Sequence, residues 1–405
     1  MLSNNNNLSE PGVSNSKAPE SSSRTRLEMV DALRGFALMG LFIVHMVEYF
    51  ELYWFSTEPG WVHDVVFLVF GGKAHLIFAL LFGLSFHIMM SRQAARGVDF
   101  RGRFAWRLVL LLALGYLHSL IYGGDILQVL SLCGLLLVLA YPLSNRWIFV
   151  ISLVFLLQLP ALIRALYFTN LGEPLGNPLF WAPMGENLKM YANAGFWELT
   201  NYNSWSGQKG KWVFWLETGR LWNVIGLFLW GVLLGRVQFF EKIASYQRQC
   251  WIALAVVIAV LTGLYMVAPW LESTAPEITR RLFVEVIGNY KNVLSTGLIV
   301  LLFIFLYRVL RLSPLLNLNV MAGRMSLTLY LGQSFICVPL FYGYGLAWHQ
   351  SIGQVNALML SGVFWAAQVL FAVLWFKVFL YGPFEWAWRS LTALKRDIPI
   401  LKSKR

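Results

Sequence analysis

"DALRGFALMGLFIVHMVEYF", residues 31–50, is apolar enough to read as a membrane span, yet it carries Asp31 and Arg34 at its front, His45 deep inside and Glu48 near its end. Each ionisable group in hydrocarbon costs at least a few kcal/mol, so four in one span ask for a purpose. At the helical 100° per residue, Asp31, Arg34, Leu38, Leu41, His45 and Glu48 fall in one stripe about 100° wide. Arg34 and His45 share that face at a separation of about 16 Å along the axis, close to three turns. They cannot touch, but they can serve two ends of one passage. The plainer reading is a snorkelling arginine and a histidine bonded between helices.

Outward from this stretch, the composition sets the class. The 405 residues are 58% hydrophobic and only 13% charged. Soluble domains average about 45–50% apolar and about 25% charged, so the chain is expected to be an all-α polytopic membrane protein. Aromatic residues make up 16%, including 18 Trp, enough for interfacial belts. Cys133, Cys250 and Cys337 are odd in number and sit in or beside apolar runs, which argues against a disulfide framework. The net charge of +12 suits cytoplasmic loops rather than nucleic acid, which is not expected as a partner.

Ten apolar stretches are about long enough to span: 32–50, 72–90, 104–122, 126–143, 147–167, 214–235, 250–270, 288–307, 323–345 and 355–380. Arg92, Arg96, Arg101, Arg103 and Arg107 follow the second stretch, and Arg389, Lys395, Arg396, Lys402, Lys404 and Arg405 follow the tenth. Both groups belong inside by the positive-inside rule, which puts both termini in the cytoplasm. "YGGD" (122–125) and residues 345–354 carry no Lys or Arg and belong outside, as does a long outer loop at 168–213. Residues 1–26, rich in Asn and Ser, read as a disordered polar tail without a signal peptide, so the first span is expected to act as an uncleaved anchor. Residues 27–392 form one transmembrane domain, and 393–405 a basic cytoplasmic tail. The expected location is the plasma (inner) membrane. No internal repeat of the kind common in transporters is evident.

Further polar groups recur inside the apolar stretches. His118 and Asp125 flank the turn "SLIYGG" and are near enough to pair as a base and its orienter, although Asp125 also suits a helix cap. Glu217, Arg220 and Asn223 recur by threes, which suggests a structural Glu217–Arg220 ion pair on one helix face. Glu285, Asn289, Asn292 and Thr296 form a second stripe; Ser326, Tyr330 and Gln333, after Arg324, form a third. Polar stripes in a membrane must face each other or water, which predicts a polar central cavity. His75 should approach His45 from the second stretch. His63, His75 and His87 show no compact metal-ligand spacing, so no metal is expected, and no phosphate loop, dinucleotide fingerprint or Cys pair supports an ATPase or oxidoreductase.

Several blocks resemble the YeiB-like family of polytopic membrane proteins, domain-of-unknown-function family 418. They are "RLEMVDALRGFALMGLFIVH" (26–45), "LIFALLFGLSF" (76–86), "RLVLLLALGYLHSLIYGGDIL" (107–127), "WNVIGLFLWGVLLGR" (222–236), "GRMSLTLYLGQSFICVPLFYGYGL" (323–346) and "YGPFEWAWRSLT" (381–392). The first span also resembles two acyltransferase groups. Bacterial membrane O-acyltransferases carry an Arg and a His spaced as Arg34 and His45 are. Lysosomal-type glucosaminide N-acetyltransferases open much like "DALRG".

That second resemblance implies a membrane acyltransferase with no permanently bound cofactor and a cytosolic acyl-CoA as co-substrate. Its phosphates would meet arginine. A near-neutral histidine would deprotonate the acceptor or carry the acyl group. The expected catalytic residues are His45, His118 and Asp125. Substrate contacts are expected from Asp31, Arg34, His75, Glu285, Asn289, Asn292, Arg324, Tyr330 and Gln333. The acceptor would be a small molecule, glycan or lipid with a hydroxyl or amine, outside the cytoplasm or lipid-linked. "YANAGFWELTNYNSWSGQKGKW" (191–212) mixes aromatics with amides, as sugar-binding surfaces do, though belt residues look the same. A small-molecule transporter, or an assembly protein whose stripes only join helices, are the readings from other classes.

Overall fold

The computed structural model describes residues 20–171, 178–274, 277–394 and 398–402, and the chain there is helical from end to end. In chain order the helices are α1 (Glu20–Val47), α2 (Trp61–Val69), α3 (Ala74–Ala94), α4 (Arg101–Ser119), α5 (Leu127–Ala140), α6 (Asn145–Leu156), α7 (Leu159–Leu171), α8 (Trp181–Asn193) and α9 (Phe196–Glu217). They continue as α10 (Arg220–Arg236), α11 (Gln247–Thr274), α12 (Glu277–Arg308), α13 (Ser313–Leu316), α14 (Val320–Arg324), α15 (Ser326–Phe341), α16 (Gln354–Val378) and α17 (Pro383–Ala393).

Five helical segments are long and apolar enough to cross a membrane: Glu28–Phe55, Trp61–Ala94, Gln247–Thr274, Arg280–Arg308 and Gln354–Val378. Two bent pairs, α6 with α7 at 51° and α9 with α10 at 67°, raise the number to seven if each is one span. Helices also stand at the other apolar stretches, but α5 and α15 are short. The segment expected as a long outer loop contains α8 and most of α9, which pack on each other while Trp197 and Trp205 stay exposed. Residues 1–19 and most of the basic C-terminal tail lie outside the described residues, and the helix already begins at Glu20, within the tail expected to be disordered.

The stretch at 31–50 is the hub. α1 packs on α3, α14, α15 and α16, and Ala32, Leu33, Ala37, Leu38, Phe42 and Met46 are fully enclosed. The glycine of "DALRG" has a packing reason. A Cβ on Gly35 would collide with the Asn319 carbonyl, and one on Gly323 would collide with the Asp31 carbonyl. Small residues thus let α14 lie backbone-to-backbone across the start of α1. At the other extreme, α11 packs almost wholly on α12, and none of its apolar window is buried. Asp99 accepts from the Arg101 backbone N–H at 3.0 Å and starts α4, and Pro383 occupies the first turn of α17, where its missing N–H costs nothing. The three cysteines are free.

Candidate functional site

α1 stops at Val47, short of the expected end. Tyr49, Phe50 and Glu51 then take left-handed φ values of 52°, 51° and 83°. Each such residue costs about 1–3 kcal/mol unless its surroundings hold it. Here they do. Phe50 is buried, with its ring 5.2 Å from Tyr122 and 5.9 Å from Phe341. The Phe50 N–H returns to the His45 carbonyl at 2.7 Å, and the Tyr53 N–H to the Glu48 carbonyl at 2.9 Å. This reversal turns Glu51 back toward His45.

The result is a buried chain of polar groups. The Tyr122 hydroxyl donates to Glu51 Oε1 at 3.0 Å and lies 2.9 Å from His45 Nδ1. With the Tyr122 proton directed at Glu51, the Tyr122 oxygen accepts from Nδ1–H, which leaves Nε2 of His45 as the basic nitrogen; this tautomer follows from the bonding pattern. Trp54 Nε1 donates to Glu48 Oε1 at 2.8 Å. Beside it, His118 Nδ1 meets Asp125 Oδ1 at 2.8 Å, with both side chains fully buried. Asp125 Oδ2 accepts from the Gln128 N–H at 3.1 Å, so one carboxylate both orients His118 and caps the first turn of α5. His118 Nε2 is buried with no hydrogen-bond partner among the described residues. Both histidines therefore hold Nδ1 against a fixed partner and leave Nε2 free, the arrangement of a base with its orienter.

The turn between α4 and α5 allows this convergence. A Cβ on Gly124 would strike the Tyr122 hydroxyl and Glu51, and one on Gly123 would strike the Tyr191 hydroxyl. His75 is buried against Trp215, at 5.5 Å between rings, and lies within electrostatic reach of His45. His45, Glu48 and Glu51 place ligand-type atoms within 4.8 Å of one another, a donor set that histidine spacing alone does not reveal. Arg220 lies within electrostatic reach of both carboxylates and offsets part of their charge.

A cavity of about 330 Å³ leads away from this core. Arg34, Arg324, Arg107 and Arg389 border it at one end; Leu38, Leu41, Phe78 and Leu130 line its length. Tyr330 and Ile126 stand at the far end. Arg34 donates to Asp31 at 2.7 Å and to Ser85 at 3.1 Å. Three of the other guanidinium groups stack on aromatic rings, Arg107 on Trp388 at 3.6 Å, Arg324 on Phe376 at 4.6 Å and Arg389 on Tyr381 at 4.4 Å. Such stacking pre-orients planar donors for an anion. The Tyr330 hydroxyl accepts from the Ile126 N–H at 3.2 Å and lies within electrostatic reach of Asp125, and its ring is 5.2 Å from that of His118. His45 lies one turn of α1 beyond Leu41. The cavity thus runs from a cationic end to Tyr330, whose ring neighbours that of His118.

Not every expected residue joins this site. The Glu217–Arg220 pair does not form among the described residues. Gly219, at φ 74°, breaks the helix between them, so the three-residue spacing no longer puts them on one face. Glu217 instead meets Arg164 at 3.4 Å and Arg281 at 3.5 Å, while Arg220 stacks on Phe214 and lies within electrostatic reach of Glu48 and Glu51. Asn289 bonds Asn223 at 2.7 Å and the Thr218 carbonyl at 2.7 Å, and Gln158 bonds Asn223 at 2.6 Å; this amide network fastens the α9–α10 bend. Glu285 pairs with Arg281, Asn292 packs at Gly72, and Gln333 bonds Gln368 at 3.0 Å. None of these four α12 and α15 positions lines the arginine-ended cavity. Sequence reasoning missed Glu51, Tyr122 and Arg389. The signal for Glu51 was its place six residues after His45, obscured because the helix was expected to continue. It also missed Lys211, buried with no hydrogen-bond partner for its amine among the described residues and within electrostatic reach of Asp125.

Comparison with known proteins agrees with this division of the chain. Residues 26–182, which supply His45, Glu51, His118, Tyr122 and Asp125, match the family described as "Heparan-alpha-glucosaminide N-acetyltransferase, catalytic". Residues 234–395, which supply Arg324, Tyr330 and Arg389, match "Protein of unknown function (DUF418)". The chain is 26% identical to the protein YxaH of Bacillus subtilis (strain 168), across 93% of this chain and 96% of the relative. It is also 26% identical to YeiB of Escherichia coli (strain K12), across 93% and 98% respectively. A 39.9 kDa protein of Bacillus acidopullulyticus is 25% identical across 94% of this chain. The chain thus resembles the YeiB-like proteins along its length and is acyltransferase-like in its N-terminal part.

Proposed function

We propose that the protein transfers an acyl group from a cytosolic acyl-CoA to a hydroxyl or amine acceptor that is lipid-linked or lies outside the cytoplasm. The observation that carries this reading is the cavity: arginines at one end, an apolar length, and at the other Tyr330, with the anchored His118 behind its ring at 5.2 Å. A thioester of coenzyme A has the same order, with phosphates, then the pantetheine, then the reactive carbonyl with its acyl group. Arg34, Arg107, Arg324 and Arg389 would hold the phosphates. In the transfer, His45 Nε2 takes the proton of the acceptor O–H or N–H as that atom attacks the thioester carbonyl carbon. The C–S bond breaks, and the proton passes on to the departing thiolate, giving free coenzyme A and the acylated acceptor. His118, held by Asp125, would face the carbonyl end of the donor. The match of residues 26–182 to an N-acetyltransferase catalytic region supports the same chemistry. In this reading the protein sits in the plasma membrane with ten crossings, α6–α7 as one bent crossing, and both termini in the cytoplasm.

The test uses purified protein in vesicles, with labelled acetyl-CoA. Wild type should bind the donor saturably and release coenzyme A when a membrane lipid extract is added. His45→Ala should bind but not release. Arg34→Lys should weaken binding, since a point charge replaces a two-pronged donor, and retain turnover at high donor. No donor binding by wild type, together with solute accumulation in the vesicles, would make it a transporter instead.

A further inference from the structure

Far from the histidines, a second cavity of about 190 Å³ lies between α11 and α12, where the segment joining α10 to α11 passes beneath them. Its walls are apolar: Ile243, Leu254, Leu301, Ile304 and Phe305, with Trp251 set edge-on to Phe305 at 5.0 Å. Its polar groups are Gln247 and Arg308, and the Cys250 side chain lies on the wall. The surroundings are unequal in charge. Within residues 241–254 and 301–311, which hold the lining, Lys242, Arg248, Arg308 and Arg311 are exposed, against the single carboxylate of Glu241.

We propose that this groove holds one anionic phospholipid, its acyl chain between α11 and α12 and its phosphate on Arg308 and Gln247. Two observations select that occupant. α11 has no buried apolar face, so the medium around the groove is lipid hydrocarbon, and an apolar slot between two such helices takes a chain rather than water. The basic residues gather at the end of the helices where a headgroup would sit, and each Lys or Arg close to a membrane surface favours anionic lipid by about fivefold, equivalent to about 1 kcal/mol. The site does not depend on acyl transfer: it shares no residue with the arginine-ended cavity.

Cys250 provides the reporter, because Cys133 and Cys337 are buried and Cys250 is half-buried on the wall of the groove. The full chain is placed in nanodiscs of phosphatidylcholine alone, or with a fraction of phosphatidylglycerol. Modification of Cys250 by a maleimide is timed by mass spectrometry. Phosphatidylglycerol should slow it severalfold; Arg308→Gln should remove most of that dependence, and Arg308→Lys should keep it. Native mass spectrometry of the detergent-purified protein should show one retained phosphatidylglycerol, lost in Arg308→Gln. Equal rates in the two lipids would overturn the proposal, as would equal protection by glycerol 3-phosphate without phosphatidylglycerol, which would make the site one for a free phosphate ester. If Arg308→Gln is poorly folded, Gln247→Ala serves in its place.

Discussion

Asp125 gives the sharpest test of the site because its two oxygens serve different purposes. Asp125→Ala strips the acceptor from His118 Nδ1 and from the Gln128 N–H, two donors in a fully buried place. Each orphaned donor costs about 1–3 kcal/mol, so the loss of stability should be about 2–6 kcal/mol. Asp125→Asn keeps the shape and one acceptor oxygen. It should cost nearer 1–2 kcal/mol, the difference between a charged and a neutral hydrogen bond. For catalysis the order is reversed in emphasis. Asparagine cannot hold His118 with its proton on Nδ1, and a wrong tautomer at an oriented base costs about 10⁴ in turnover in the serine-protease precedent. A loss of at least about 10²-fold is expected here. Coenzyme A release in vesicles reads activity at matched protein; thermal unfolding followed by size-exclusion chromatography reads stability. The two substitutions should separate, with Asn stable and inactive and Ala unstable and inactive. If Asp125→Asn keeps transfer within about threefold of wild type, the orienting role is wrong. If Asp125→Ala unfolds like wild type, the buried pairing itself is wrong.

Tyr122→Phe removes the link between His45 and Glu51 while keeping the ring that packs on Phe50; it should lower turnover about 10–100-fold with protein yield unchanged, the range for a lost general-base partner. Arg220→Ala leaves Glu48 and Glu51 without their cation, at a cost of about 3–5 kcal/mol, so protein level should fall; Glu51→Gln added to it should restore much of the level, whereas Glu217→Ala should not. Rescue by the Glu217 change would instead support an ion pair within the α9–α10 junction. Cysteines introduced at Trp205 and Val98 test the sides: an impermeant thiol reagent applied to intact cells should label position 205 and spare position 98. The opposite pattern would reverse the placement of the arginine-ended cavity.

The all-helical class and the apolar stretches were legible because both follow from composition and from the 20-residue scale of a bilayer. The face shared by Arg34, Leu38, Leu41 and His45 was legible because α1 is a regular helix up to Val47. The same rule misled wherever the backbone departs from regularity. Periodicity carried across residues 217–223 put Glu217 beside Arg220, and the left-handed Gly219 moved them apart. Periodicity carried past Val47 hid Glu51. His118 and Asp125 could be read because a short turn keeps them close in sequence. Tyr330 and Arg107 could not be assigned to one cavity from spacing, since contacts across hundreds of residues leave no periodic mark. The aromatic and amide run at 191–212 reads as a loop because it is too polar to count as a span, and its helical course is set by packing, which overrides weak local preference.

The left-handed run at Tyr49, Phe50 and Glu51 has a consequence for the order of assembly. Three successive residues of that kind are unfavourable in an isolated chain, by about 1–2 kcal/mol each relative to a right-handed turn. What holds them is distant: Tyr122 from the turn after α4 and Phe341 from the end of α15. While α1 is first inserted, its lowest-energy course is to run on as helix through Glu51, which carries that carboxylate away from His45. The turn can close only once a segment almost three hundred residues later has arrived. The constellation around His45 therefore matures only after α15 has been made, and a chain truncated before α15 should hold α1 as a longer, uninterrupted helix. Spin labels at Val47 and Trp54 would report this as a greater separation in the truncated chain than in the complete one.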